Sequence, residues 1–160
     1  MLQKLIIRNY AIIDHLVVEP DAGLNIVTGE TGAGKSIILG ALSLILGARA
    51  DTSVLIRKSE KCVVEAFFDV AGNDLFLGAL REAELDEEPQ CIIRREISSA
   101  GKSRAFVNDT PVTLAVLNQL TSLLVDLHQQ FDQLDIRNEQ FQLDVLDAVA
   151  QNTALLAEYR

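Results

Sequence analysis

Residues 24–28, Leu-Asn-Ile-Val-Thr, run directly into Gly29-Glu30-Thr31-Gly32-Ala33-Gly34-Lys35-Ser36, and an apolar stretch begins at Ile37. No other segment restricts the fold as much. Glycines at 29 and 34, helped by Gly32, free the main chain to take conformations closed to residues with a Cβ. A lysine and a hydroxyl follow at once, which completes the P-loop pattern. The run before it is short and suited to a strand, and the run after it, about 35–47, is suited to a helix. The pattern therefore predicts strand, loop and helix in an α/β fold.

Each fixed position has a mechanical reason. The loop Gly29, Glu30, Thr31, Gly32, Ala33, Gly34 turns its backbone N–H groups toward phosphate oxygens, and Lys35 balances the charge of the β- and γ-phosphates. Ser36 offers a hydroxyl to Mg²⁺, and the helix starting there directs its positive dipole end at the same anion. The cofactors this implies are ATP and Mg²⁺.

The remaining sequence bounds the setting. A length of 160 residues is one compact domain or a piece of a larger one. With 14 basic and 23 acidic residues the net charge is −9, so bulk charge gives no reason to expect nucleic acid. Cys62 and Cys91 are too few for a disulfide framework or a four-ligand zinc site, even with His15 and His128, and read as buried, reduced thiols. The longest apolar stretch, 37–46, is about half the ~20 residues that span a bilayer. No secretory signal is visible, so the expectation is a cytoplasmic protein with no membrane partner.

Residues 2–13 and 16–19 suit two strands joined as an antiparallel pair. Alternation at Cys62, Val64, Ala66, Phe68 and Val70 predicts a strand with one buried face. Asn73 is placed to cap a helix over 74–83, followed by an acidic solvated loop at 84–89. Residues 91–97 and 104–108 suit a hairpin. Residues 113–120 suit a helix and 123–127 a buried run. From Asn138 apolar residues recur at helical spacing up to Arg160, without glycine or proline. The expected organisation is a head portion over 1–137 and a helix over 138–160 that continues past the last residue.

A P-loop binds nucleotide, but hydrolysis also requires an acidic group for Mg²⁺ and a group that positions water. Asp126 ends an apolar run as a Walker B aspartate does, yet Leu127 stands where a catalytic glutamate is expected, so a plain buried run is the favoured reading. With these parts in place the chain resembles the amino-terminal half of the ATPase head of the RecN family, bacterial DNA-repair relatives of the SMC proteins. The resemblance is carried by LNIVTGETGAGKS (24–36), LGARADTSVLIR (46–57), IRREISSAGKSRAFVNDTPVT (93–113) and LLVDLH (123–128).

That resemblance implies an ABC/SMC-type P-loop NTPase head, amino-terminal lobe, with a mixed sheet, a β-hairpin and a C-terminal helix leading into a coiled coil. It implies that the signature and Walker B motifs reside in a C-terminal half of the same head, and that a second head closes on ATP in a homodimer. It also implies DNA as a partner of the full-length protein, in double-strand-break repair and recombination near the nucleoid. In the family a His-Gly-Gln-His-Glu-His-like stretch stands at the ABC Q-loop. Here His128 and Gln130 match while positions 129, 131 and 133 depart, which makes Gln130 the candidate for the catalytic, Mg²⁺-approaching glutamine. Arg8 and Asn9 correspond to a strand end where such heads contact adenine or phosphate. Lys102 and Arg104, on the hairpin, are placed to meet nucleotide, a partner head or DNA, although an exposed turn also simply favours charge. A self-contained P-loop kinase or GTPase, and the nucleotide-binding subunit of an ABC transporter, remain as alternatives; no guanine-reading Asn-Lys-x-Asp is present.

Overall fold

The computed structural model describes residues 1–29, 34–50 and 52–127, and beyond them Leu143, Leu146, Val149 and Ala150. The chain divides into two units, Met1–Asp126 and Leu127–Arg160. In the second, Leu143, Leu146 and Val149 are helical and exposed; the rest of the helix expected over 138–160 lies outside the described residues.

The first unit is built on a six-stranded sheet: β1 (Leu2–Tyr10), β2 (Ile13–Val18), β3 (Cys62–Asp69), β4 (Gln90–Ile97), β5 (Ser103–Val107) and β6 (Thr110–Val112), in the order β2-β1-β3-β4-β5-β6. Every pairing is antiparallel. Helices α1 (Lys35–Ile45), α2 (Asp74–Glu82) and α3 (Leu114–Thr121) complete it. Strand alternation sorts the side chains. Leu5 and Ile7, Cys62 to Phe68 at even numbers, and Cys91, Ile93 and Ile97 turn to one face. There they form a single core with Ala41, Leu44 and Ile45 of α1, Phe76 and Leu80 of α2, and Leu117 and Leu120 of α3.

Several expectations hold. The amino-terminal antiparallel pair, the alternating strand at Cys62 and the hairpin over β4 and β5 are all formed. Asn73 caps α2 by accepting from the Phe76 N–H at 3.1 Å. Both cysteines are buried, and burial pushes the Cys62 thiol up to about 11 and Cys91 to about 12, so neither is a thiolate near neutrality.

Two expectations are corrected. The strand read at residues 24–28 is not formed, and Leu24, Ile26 and Val27 are 88%, 75% and 60% exposed. A strand requires a neighbour for its N–H and C=O groups. Pro20 and the positive φ of Gly23 carry this run away from the antiparallel sheet, and it pairs with none of its strands. Residues 123–127 are likewise not a buried run: Leu123 is 40% exposed and Asp126 is exposed. The chain leaves α3 in tight turns, with Leu124 and Val125 N–H both donating to the Thr121 carbonyl at 3.0 Å, so no strand leads into Asp126.

β6 was not anticipated. Asn108 and Asp109 both have positive φ, 45° and 64°, which is the two-residue turn that suits a hairpin's twist. An Asn-Asp pair between Val107 and Thr110 carried that signal.

Gly47, just past α1, has φ 94°, and a Cβ there would stand 1.5 Å from Asn118 Oδ1 on α3. The exposed Asn118 side chain can swing away, so backbone strain is the larger cost. Gly47→Ala is expected to lose about 1–2 kcal/mol from φ, with a smaller part from the overlap. Adding Asn118→Ala should recover only that smaller part. Urea unfolding with an unchanged slope and a lowered midpoint checks this, and an unmoved midpoint contradicts it.

Candidate nucleotide site

The described part of the P-loop is Gly29 and Gly34 to Ser36; Glu30, Thr31, Gly32 and Ala33 lie outside the described residues. Gly34 is the N-cap of α1 in a left-handed conformation, φ 101° and ψ −13°. A Cβ at this position would meet nothing within 4 Å, so the positive φ and not crowding calls for glycine here. The Gly34 carbonyl accepts from Ile37 and Ile38 N–H at 3.1 and 3.0 Å, which starts the helix.

No side chain caps α1 and no acidic residue stands in its first turn, whereas Asn73 and Thr113 cap α2 and α3. Among the described residues no side chain therefore neutralises the first N–H groups of α1 or its dipole. The Lys35 ammonium bends back and donates to the Gly29 carbonyl, closing the two ends of the loop on one cation. A left-handed glycine, an uncapped helix start and an ammonium group fit the phosphates of a nucleotide. Lys35 and the 34–36 amides would hold them, and Ser36 would supply a hydroxyl to Mg²⁺. Among the described residues no group of three His, Cys, Asp or Glu side chains forms a metal site.

The sheet anchors this helix. Ala41, Leu44 and Ile45 are buried against it, and the Tyr10 ring, at the end of β1, lies so close to Gly40 that a Cβ there would stand 2.7 Å from its hydroxyl. Beyond α1, Arg95 is 1% exposed on the core face and donates to the Ala48 carbonyl at 3.4 Å. Burial lowers its pKa. Nothing in the alternation of β4 foretells an arginine at an inward position.

Arg8 and Asn9 are not brought together with the described P-loop residues. They line an open cleft of about 620 Å³ with Asp14, His15, Arg57 and Lys61. Asn9 is 3% exposed with φ 53°, and its side chain is fully engaged: Nδ2 donates to the Arg57 and Glu60 carbonyls at 3.0 Å each, and Oδ1 accepts from Arg57 N–H at 2.8 Å. It clasps the 57–60 loop. Asp14, 2.7 Å from Arg57, and Glu60 raise the Arg57 pKa. Gln130 and His128 lie outside the described residues. Lys102 and Arg104 are exposed and line a second cleft with Lys61, Glu96 and Ser98.

An antiparallel sheet packed on the helix that leaves a P-loop sequence is the arrangement of a P-loop NTPase domain. The chain belongs to the family described as AAA domain, which it matches over residues 4–153. It is similar to the DNA repair protein RecN of Vibrio cholerae, 41% identical over 160 residues that cover all of this chain and 29% of that protein. RecN of Xylella fastidiosa is 41% identical over 152 residues, 95% of this chain and 27% of the relative. The chain thus spans less than a third of these curated relatives. Among solved structures, one described under "Structural biochemistry of ATP-driven dimerization and DNA stimulated activation of SMC ATPases" superposes with a TM-score of 0.61 at 19% identity, over 76% of this chain and 78% of that one. That likeness bears on the fold.

Proposed function

We propose that this chain is the ATP-binding lobe of an SMC-like ATPase head used in bacterial DNA double-strand-break repair and recombination. The observation that carries the reading is the uncapped start of α1 behind a left-handed Gly34, with the Lys35 ammonium held across the loop. Gly29 to Ser36 bind the triphosphate, with Ser36 and Gln130 directed to Mg²⁺ and Gln130 to the attacking water. The relatives' name supplies the biological setting.

The lobe's partners are a complementary C-terminal half of the head, a second head that closes on ATP, and DNA. The exposed Leu24, Ile26 and Val27 support the first of these, since three large apolar side chains in one extended run immediately before the P-loop are an unsatisfied interface. The strand missing from the sheet is then completed by the complement. Residues 138–160 form the root of the coiled coil, and the head portion is 1–137. The protein works in the cytoplasm beside the nucleoid; among the described residues no helix is long and apolar enough to cross a membrane.

The reading separates from a self-contained kinase or GTPase by turnover. A lobe with no acidic partner for Mg²⁺ and no opposing signature binds ATP and leaves it intact. The 160-residue chain with Mg²⁺ and ATP should therefore release no phosphate above background. Metal-dependent release at the ordinary enzymatic rate of about 1–10³ s⁻¹, abolished by Lys35→Ala, would favour the self-contained enzyme.

A further inference from the structure

The end of α1 that meets the P-loop is anchored less firmly than the other. Its buried residues, Ala41, Leu44 and Ile45, all lie toward the C-terminal end, while Ile37 and Ile38 are only partly buried. Tyr10, the last residue of β1, touches the helix between these groups, at Gly40, about 7.5 Å along the axis from Lys35. Gly40 acts as a notch for that ring. A helix interior disfavours glycine, which loses the most backbone freedom and packs nothing. Here an added Cβ would stand 2.7 Å from the Tyr10 hydroxyl oxygen but 3.7 and 3.8 Å from the ring carbons Cζ and Cε1, so the hydroxyl alone forbids it. A Cβ on Gly78, inside α2, would meet nothing within 4 Å.

Tyr10 is in turn fixed from both sides. Asn9 clasps the 57–60 loop through three hydrogen bonds, and the Ala11 N–H donates to the Val54 carbonyl at 2.6 Å. Both neighbours have φ 53°, a conformation that alanine adopts only at a cost and that these bonds enforce. The strand end is thus held in an unfavourable shape around one aromatic residue. Tyr10 is 8% exposed, so its ring is a packing surface and not one on which a base could stack.

We propose that Tyr10 is a positioning residue for nucleotide binding: its ring, seated in the Gly40 notch, holds the P-loop end of α1 against the sheet. The inference rests on the ATP-binding reading and adds to that site a residue of β1 that touches no phosphate. With no side chain capping α1, its first turn depends on tertiary contact to stay formed. A helix start already ordered spares the nucleotide the cost of ordering it. Lifting the ring off the notch loosens the first turn, and apparent affinity falls in proportion to the fraction of chains that keep it formed.

The test is a double-mutant cycle read by Mg·ATP calorimetry and by hydrogen exchange at the Ile37 and Ile38 amides, which donate to the Gly34 carbonyl. Gly40→Ala in the wild-type background should weaken ATP binding about 3- to 10-fold and quicken exchange at both amides by a similar factor. In a Tyr10→Phe background the same substitution removes no contact and meets only ring carbons at ordinary distance, so it should cost no affinity and leave exchange unchanged or slower. Gly78→Ala, the same change in a helix with open space, should alter neither reading. An inert Gly40→Ala, an equal loss in both backgrounds, an equal loss in Gly78→Ala, or quickened exchange with unchanged affinity would each overturn the proposal. A folded wild-type chain that binds no ATP would instead overturn the reading on which it rests, and the exchange rates alone would still show whether Tyr10 holds the helix start.

Discussion

Asn9→Ala is expected to lower the stability of the Met1–Asp126 unit by about 2–4 kcal/mol, a large share of the 5–15 kcal/mol typical of a domain. Three buried or half-buried hydrogen bonds go with the side chain, two from Nδ2 to carbonyls and one from Arg57 N–H to Oδ1. Asparagine also tolerates the positive φ at this position better than alanine does. Water reaches part of the 57–60 loop, which keeps the loss below the sum of three unpaired groups. Asn9→Asp separates the contributions. Its carboxylate still accepts from Arg57 N–H but faces two carbonyls with no proton to give, so it should be at least as destabilising as alanine. Chemical denaturation gives the stability, and hydrogen exchange at the Arg57 amide should quicken in both variants. A full-strength Asn9→Asp protein would show that the two donated bonds contribute nothing.

What could be read from the sequence follows the range of the forces involved. The hairpin of β4 and β5, the cap at Asn73 and the buried face of β3 are set by alternation and short-range hydrogen bonding, and each was visible in a few consecutive residues. The 24–28 run failed for the converse reason. Its composition suits a strand, but strand formation depends on a neighbour far away in sequence, and the sheet built by the rest of the unit offers it none. The buried run read at 123–127 failed similarly, because an apolar run ending in aspartate does not say whether the chain arrives as strand or turn.

The candidate site divides along the same line. Gly34 and Lys35 act through local backbone geometry, so spacing alone located them. The resemblance marks Arg8 and Asn9 together as nucleotide contacts at a strand end, yet neighbours on a strand face opposite ways. Asn9 turns inward to clasp the 57–60 loop, and Arg8 is exposed at the cleft it shares with Arg57. Arg57 and Lys61 were missed because their value comes from the cleft they share with Arg8.

Lys35→Ala carries the largest functional effect. Its ammonium donates to the Gly29 carbonyl, and on the proposed reading it would exchange that carbonyl for phosphate oxygens when a nucleotide binds. A hydrogen bond to a charged partner contributes about 1.5–3 kcal/mol, so affinity should fall roughly 10- to 100-fold. The fold should survive, because Lys35 is not part of the hydrophobic core that holds α1 to the sheet.

Calorimetric titration of Mg·ATP into the wild-type chain and into Lys35→Ala, with far-UV dichroism on both, tests the central claim most directly. The account predicts saturable binding by the wild type, a drop of one to two orders of magnitude in the variant, and identical spectra. No binding by a folded wild-type chain, or equal affinities in the two proteins, would contradict it.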